Sequence, residues 1–179
     1  MSLADSGMTL VLGGARSGKS ARAMHLAAAS DRPVVYVATA RDHPDDEEWH
    51  ARIARHRRER PVDWITIEEP LDLVGVLQRL GQEQLVLVDC LTLWLSNLML
   101  EGLSIERETE RLLAGLAKFS GPSILVSNET GWGIVPDHAL GRAFRDAQGR
   151  LNQQLAAQAR RVELIVAGIP VCIKPGRPS

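Results

Sequence analysis

Eight consecutive residues, Gly13, Gly14, Ala15, Arg16, Ser17, Gly18, Lys19 and Ser20, satisfy the spacing G-x-x-x-x-G-K-[ST]. Each fixed position has a chemical reason. Glycines let successive backbone N–H groups curl around a phosphate, Lys19 brings a cation to the β and γ oxygens, and the Ser20 hydroxyl can ligate Mg²⁺. The flanks meet the same requirement. TLVL before the run reads as a strand, SARAMHLAAAS after it reads as a helix, and a helix N-terminus favours anions. A glycine-rich turn that fits by chance is the competing explanation, and the strand–loop–helix setting counts against it. The run is read as a nucleoside triphosphate site.

A second chemical signal is LVLVD at 85–89, an apolar strand ending in a carboxylate. Ligands of open α/β sheets bind at the carboxyl edge of the strands, so Asp89 would stand beside the phosphate loop and hold Mg²⁺ directly or through water. An aspartate capping the next helix is the plainer alternative. The phosphate loop tips the choice toward metal and nucleotide.

The third signal is WHARIARHRRERP at 49–61, where Arg52, Arg55, Arg57, Arg58 and Arg60 surround His56. A solvated basic helix face would look the same. So would a nucleic-acid patch, although the balanced charge and scarce aromatics of the chain oppose it. The chemical reading is that neighbouring guanidinium groups disfavour protonation of His56 and keep it nucleophilic, while the same groups bind phosphoryl oxygens. His25, His43, His50 and His138 have no such surroundings and default to surface or packing roles.

Positioning these groups requires a framework, and the chain alternates short β-rich runs with helical patterns. Strands are expected over 9–12, 34–38, 85–88, 123–126 and 163–166, with short additions at 64–67 and 170–174. Such continuous apolar runs suit strands covered on both faces of a parallel sheet. Helices are expected over 19–29, 45–59, 71–80, 105–119 and 138–159, while 91–102 fits either a strand continuation or a helix. The fold class is α/β, mainly parallel with helices on both faces, in one domain over 8–174 with flexible ends at 1–7 and 175–179.

Composition narrows the function further. The chain has 179 residues, 45% hydrophobic and 24% charged, which is the soluble globular range. Lys+Arg 21 against Asp+Glu 22 leaves a formal charge of -1, so nothing draws the chain generally to nucleic acid or an anionic membrane. Cys90 and Cys172 sit in apolar runs and read as buried thiols in a reducing compartment; two cysteines make neither a disulfide framework nor a zinc site. The start lacks a basic stretch followed by an apolar core, and 85–100 is interrupted by polar residues. The expected setting is the cytoplasm, without a membrane span.

In order along the chain, GGARSGKS, VVYVATA, ARIARHRRERP, W-x-T-x-E at 64–68, LVDC, SNETGWGIVP and FRDAQGRLNQQLA resemble one family. It is the bifunctional adenosylcobinamide kinase/adenosylcobinamide-phosphate guanylyltransferase family of cobalamin biosynthesis. The match runs from about Met8 to Lys174. Its most specific parts are Arg52–Ile53 with His56 and N-E-x-G-x-G-I-V-P at 128–136. The resemblance implies that His56 is guanylylated by GTP. It assigns nucleotide contacts to the phosphate loop, to Ala38, Thr39 and Ala40, to Arg57, Arg58, Glu59 and Arg60, to Glu68 and to Asp89. It also implies a RecA-like core and a homotrimer. Thr130, where valine is frequent, and Cys172, where lysine is frequent, depart from the family pattern.

The implied mechanism has two halves. The γ-phosphoryl of ATP or GTP passes to the hydroxyl of adenosylcobinamide with Lys19 and Mg²⁺ stabilising the charge. GMP then passes from GTP through His56 to adenosylcobinamide phosphate. Arg52 and Arg55 are expected to face phosphate or a neighbouring subunit, and Asn128 and Glu129 to contact substrate. Two other classes remain open from the residues alone: a monofunctional phosphate-loop kinase for another small alcohol, and a RecA-like ATPase module.

Overall fold

The computed structural model describes residues 7–41 and 46–176. Seven strands form one sheet: β1 (Met8–Gly13), β2 (Val34–Ala38), β3 (Ile65–Glu68), β4 (Leu85–Asp89), β5 (Ser123–Asn128), β6 (Arg161–Val166) and β7 (Ile169–Lys174), in the order β3-β2-β4-β5-β1-β6-β7. All neighbouring pairs are parallel except β6 and β7, which form an antiparallel hairpin. β5 lies between the strand that opens the phosphate loop and the strand that ends at Asp89. The carboxyl ends of β1, β4 and β5 therefore meet along one edge.

The helices are α1 (Lys19–Ala28), α2 (Glu47–Arg58), α3 (Leu73–Leu77), α4 (Leu91–Leu100), α5 (Ile105–Lys118) and α6 (Ala139–Gln158). Alternation along the strands divides the core in two. Leu10, Val35, Val37, Val86, Val88 and Leu125 point to the face covered by α3, α4, α5 and α6, whereas Val11, Val34, Tyr36, Leu85, Leu87, Ile124 and Val126 point to the face covered by α1. Because both faces are dry, these strands are largely apolar, with only small polar residues such as Thr9, Ser123 and Ser127 buried among them. Full burial contributes about 1.5–3 kcal/mol for each large aliphatic side chain.

Several expectations are corrected. The helix expected over 71–80 shortens to Leu73–Leu77. Asp72 caps its start by accepting from Gly75 N, and Arg79 N and Leu80 N bond three residues back, so the chain tightens out of the helix. The ambiguous stretch 91–102 is helical as α4 and ends where Gly102 turns left-handed at φ 65. Cys90 is buried as expected, but Cys172 is exposed because β7 is an edge strand with a single neighbour. Residues 1–6 and 177–179, His43 and Asp45 lie outside the described residues. No helix among the described residues is long and apolar enough to cross a membrane.

β6 carries one charge into the core. Glu163 is fully buried, and Arg22 on α1 grips its carboxylate at 2.8 and 3.0 Å while Arg161 adds a contact at 2.8 Å. Burial alone would raise the Glu163 pKa; hydrogen bonds from the two arginines outweigh it and hold the carboxyl below its usual range. The same pairing raises the Arg22 pKa. Arg22 thereby ties the helix that follows the phosphate loop to the strand beside it. A depressed folded-state pKa gives stability that is complete above about pH 4–5, the ordinary glutamate range, and vanishes as pH falls through the lower native value. Glu163→Gln should cost about 2–3 kcal/mol at neutral pH. Urea unfolding across pH checks this: the gap between wild type and variant narrows in acid.

Candidate active site

The phosphate loop is shaped by how little room surrounds it. A Cβ at Gly13 would lie 2.4 Å from Ser17 Oγ and 2.8 Å from the Ile165 carbonyl oxygen. Gly18 has φ 94, and a Cβ there would stand 3.3 Å from Gly168 Cα. The turn between β6 and β7 closes the contact, because Gly168 N donates to Ser17 O at 2.9 Å. Lys19 Nζ donates to Gly14 O at 3.1 Å, holding the ammonium across the loop. The loop thus directs backbone amides and one cation toward the space above α1, which suits an anion.

Opposite the loop, Asp89 ends β4 and accepts from the Tyr36 hydroxyl at 2.9 Å. Burial, reinforced by the Asp89 carboxylate, keeps the Tyr36 phenol protonated well above its ordinary range, so it acts here as a donor. Arg60 lies 3.9 Å above the Tyr36 ring, and Trp64 stacks on that ring with centroids 6.5 Å apart. Arg57 on α2 pairs with Glu68 on β3. Both are well exposed, so the pair sets position and adds little stability.

The loop and Asp89 border a cleft of about 630 Å³, lined also by Ala15, Ser20, Tyr36, Ala38, Ala40, His56, Arg57, Arg60, Glu68, Cys90 and Asn128. A second cleft of about 440 Å³ is lined by Arg16, Ser17, Gly18, Ala21, Ala51, Arg55 and Glu59, and it shares Lys19, Ser20 and His56 with the first. Helical geometry explains the division. At about 100° per residue, positions 50, 53, 54 and 57 form one stripe of α2 and positions 51, 55 and 59 another. His50, Ile53, Ala54 and Arg57 line the first cleft, whereas Ala51, Arg55 and Glu59 line the second. Position 56 falls between the stripes, so His56 borders both. Its Nδ1 lies 3.8 Å from Glu59 Oε2.

Not every anticipated residue reaches a cleft. Thr39 is buried; its hydroxyl donates to Cys90 O at 2.7 Å and accepts from Cys90 N at 2.9 Å, across the cis Asp89–Cys90 peptide. Its side chain is a clamp between β2 and β4. Arg58 is exposed and lines neither cleft, and the side chain of Arg52 lies outside the described residues. Gly13 and Gly14 line neither cleft. His138 caps α6, its Nδ1 accepting from Gly141 N at 2.9 Å. His50, assigned a surface or packing role by default, lines the first cleft because it shares a stripe with Arg57. Tyr36 and Cys90 were not anticipated there either. A lone hydroxyl inside VVYVA was the available signal for Tyr36; burial, which pushes the Cys90 thiol up to about 11, leaves no such sign in the sequence.

A buried polar network supports the far wall. Ser127 Oγ donates to Asn152 Oδ1 at 2.7 Å, and Gln148 Nε2 donates to Ser127 Oγ at 2.8 Å. Asn152 Nδ2 donates to Asn128 O at 3.0 Å and to Glu129 Oε1 at 3.1 Å. Beyond it, Trp132, Ile134 and Val135 of the 128–136 segment are exposed.

Comparison with known proteins gives a consistent result. Residues 9–173 match the family described as cobinamide kinase / cobinamide phosphate guanyltransferase. The chain is 48% identical over 168 residues to the bifunctional adenosylcobalamin biosynthesis protein CobP of Pseudomonas aeruginosa, covering 92% of this chain and 96% of that protein. It is 39% identical over 183 residues to the bifunctional adenosylcobalamin biosynthesis protein CobU of Escherichia coli, covering 93% and 99%. Among solved structures, a Pyrococcus horikoshii OT3 protein, Project ID PH0250, aligns with TM-score 0.54 and 10% identity over 98% of this chain and 90% of that one, a likeness of fold.

The crowding at Gly13 yields a test. Gly13→Ala forces Ser17 or the β6 backbone to move, with a stability cost of about 1–3 kcal/mol. Triphosphate affinity measured by calorimetry should fall at least about tenfold as the amide cradle distorts.

Proposed function

The chain belongs to the cobinamide kinase / cobinamide phosphate guanyltransferase family, and from that premise we propose how its residues share two reactions. It is a bifunctional transferase of cobalamin biosynthesis, an adenosylcobinamide kinase and adenosylcobinamide-phosphate guanylyltransferase. In the kinase half, the γ-phosphoryl of ATP or GTP passes to the hydroxyl of the corrinoid's aminopropanol arm. Backbone amides of the loop and Lys19 stabilise the charge that spreads over the phosphoryl oxygens. Ser20 and Asp89 offer hard oxygen donors on one cleft, and Tyr36 orients the carboxylate by engaging Oδ2. That set fits Mg²⁺, which takes one or two protein oxygens and the remainder from phosphate and water. Bound there, the ion would neutralise triphosphate charge.

In the guanylyltransferase half, His56 attacks the α-phosphorus of GTP. An N–P bond forms as the bond to pyrophosphate breaks. The terminal phosphate of adenosylcobinamide phosphate then attacks the same phosphorus, releasing the imidazole and giving adenosylcobinamide-GDP. A covalent relay divides one difficult displacement into two easier ones. The carboxylate of Glu59 near Nδ1 favours the proton on that nitrogen and leaves the Nε2 lone pair as nucleophile. The observation that carries this reading is the position of His56 between two clefts that share Lys19 and Ser20. One triphosphate site and one movable imidazole can then serve both halves.

The working form we propose is a cytoplasmic homotrimer built from one domain. Ile169, Val171 and Ile173, exposed on edge strand β7, support association with further copies.

Incubation with α-labelled GTP and Mg²⁺ tests the relay. Label should survive alkaline denaturation and be lost in acid. His56→Ala should abolish it and leave corrinoid phosphorylation within about threefold, whereas Lys19→Ala should lower phosphorylation at least about 100-fold. Label retained by His56→Ala would overturn the assignment.

A further inference from the structure

Asn128 occupies a singular place in the sheet. It is the last residue of β5, paired in register with Gly13 of β1, and β5 lies between the phosphate-loop strand and the strand that ends at Asp89. Its side chain lines the first cleft together with Lys19, Ser20 and Asp89. Its backbone is held on both sides. Asn128 N donates to Thr92 Oγ1 at 2.8 Å, and Asn128 O accepts from Asn152 at 3.0 Å.

One atom of this residue is left over. Among the described residues, Asn128 Oδ1 is shielded from solvent and has no hydrogen-bond donor. A buried acceptor without a donor carries an energetic penalty, so such a group is expected to have a partner in the working complex. A carboxamide oxygen cannot pair with phosphate, which also only accepts. The partner must bring an O–H or N–H.

The kinase substrate carries such a donor where the reaction needs it: the hydroxyl that receives the phosphoryl group. Resting on the proposed function, we infer that the Asn128 side chain turns its Oδ1 into the cleft it lines, where it accepts a hydrogen bond from the acceptor alcohol of adenosylcobinamide and aims that alcohol's oxygen at the terminal phosphate held by Lys19. The carboxamide orients the alcohol and takes no proton: as the O–P bond forms, the bond to the nucleoside diphosphate breaks, the diphosphate leaves with that electron pair, and the alcohol proton passes to a phosphate oxygen or to water. Once the alcohol is a phosphate ester the donor is gone, so Asn128 distinguishes substrate from product and favours departure of the phosphorylated corrinoid from this position. A site built to hydrogen-bond a hydroxyl discriminates strongly against partners lacking it. The second reaction, whose corrinoid substrate is already phosphorylated, makes no use of this contact.

The experiment measures three rates in wild type and in Asn128→Ala. These are phosphorylation of adenosylcobinamide, formation of the labelled enzyme adduct from GTP, and guanylyl transfer to adenosylcobinamide phosphate. The inference expects kcat/KM for the first to fall about 10- to 100-fold while the other two stay within about threefold. Asn128→Ser, which retains a short acceptor, should recover part of the lost rate. Equal loss of all three in a variant whose Tm matches wild type would make Asn128 a nucleotide contact and overturn the inference, as would an unchanged first rate. If Asn128→Ala unfolds, Asn128→Ser decides by the same split. A wild-type protein showing neither phosphorylation nor adduct would defeat the proposed function itself.

Discussion

The site depends on a three-way backbone contact at the end of β1. Gly13 has no space for a side chain, Ser17 O accepts from the β6–β7 turn, and Gly18 adopts a backbone angle that glycine tolerates at least cost. The junction relies on close approach permitted by missing Cβ atoms and on main-chain hydrogen bonds, among them one from Gly168, whose own φ is 80, and one from Glu129 N to Gly13 O. Edge strand β7 buries little of itself, yet its turn braces the loop that must present amides to a triphosphate. The Glu163 ion cluster on β6 reinforces the brace by tying α1 to the same strand.

The rest of the sheet edge follows from register. A strand inserted between β1 and β4 leaves a gap the width of one strand between the phosphate loop and Asp89, about 5 Å on either side. On the proposed reading, a triphosphate lies in that gap. Its floor is not apolar. Ser127, Gln148 and Asn152 form a buried polar network that holds the Asn128 carbonyl, with Gln148 Oε1 alone among its acceptors lacking a donor among the described residues. Thr39 serves the same purpose on the other side by clamping Cys90. Polar groups behind the cleft thereby fix the ends of the strands that border it.

Much of this was legible in the residues, and the exceptions are instructive. Local spacing alone carried the phosphate loop, Asp89 and most strands, because a strand buried on both faces and a glycine-rich anion cradle each have few sequence solutions. The roles of Tyr36, Glu163 and Asn152 were not legible, since each depends on a partner 53, 141 or 23–25 residues away. Thr39 is assigned to the ligand from the resemblance, and its hydroxyl meets the Cys90 backbone: a threonine at a strand end reads the same whether its hydroxyl meets a phosphate or a neighbouring backbone. Cys172 misled for a similar reason. An apolar run at an edge looks like a core strand until the sheet order is known.

The division of α2 into two stripes bears on why one chain can run two displacements. Attack at the γ-phosphorus requires the corrinoid alcohol near Lys19, whereas attack at the α-phosphorus requires an imidazole further along the same triphosphate. On the proposed reading, a rigid sheet edge fixes the first, and α2 supplies the second from outside the sheet. The helix has a strong charge complement and exposes Arg55, Arg57 and Arg58, with Glu59 exposed just past its end. Its described attachments to the rest of the chain include a surface ion pair from Arg57 to Glu68, and the Arg60–Tyr36 stack lies just past its end. Surface pairs of this kind are worth little, so such an element can shift at small cost. An imidazole carried on it could approach the phosphorus, depart with GMP attached and meet the second substrate without disturbing the loop. The rigid and the yielding parts of the site thus correspond to the two kinds of chemistry: fixed charge stabilisation for transfer to an alcohol, and a carrier that must change neighbours between its two bonds.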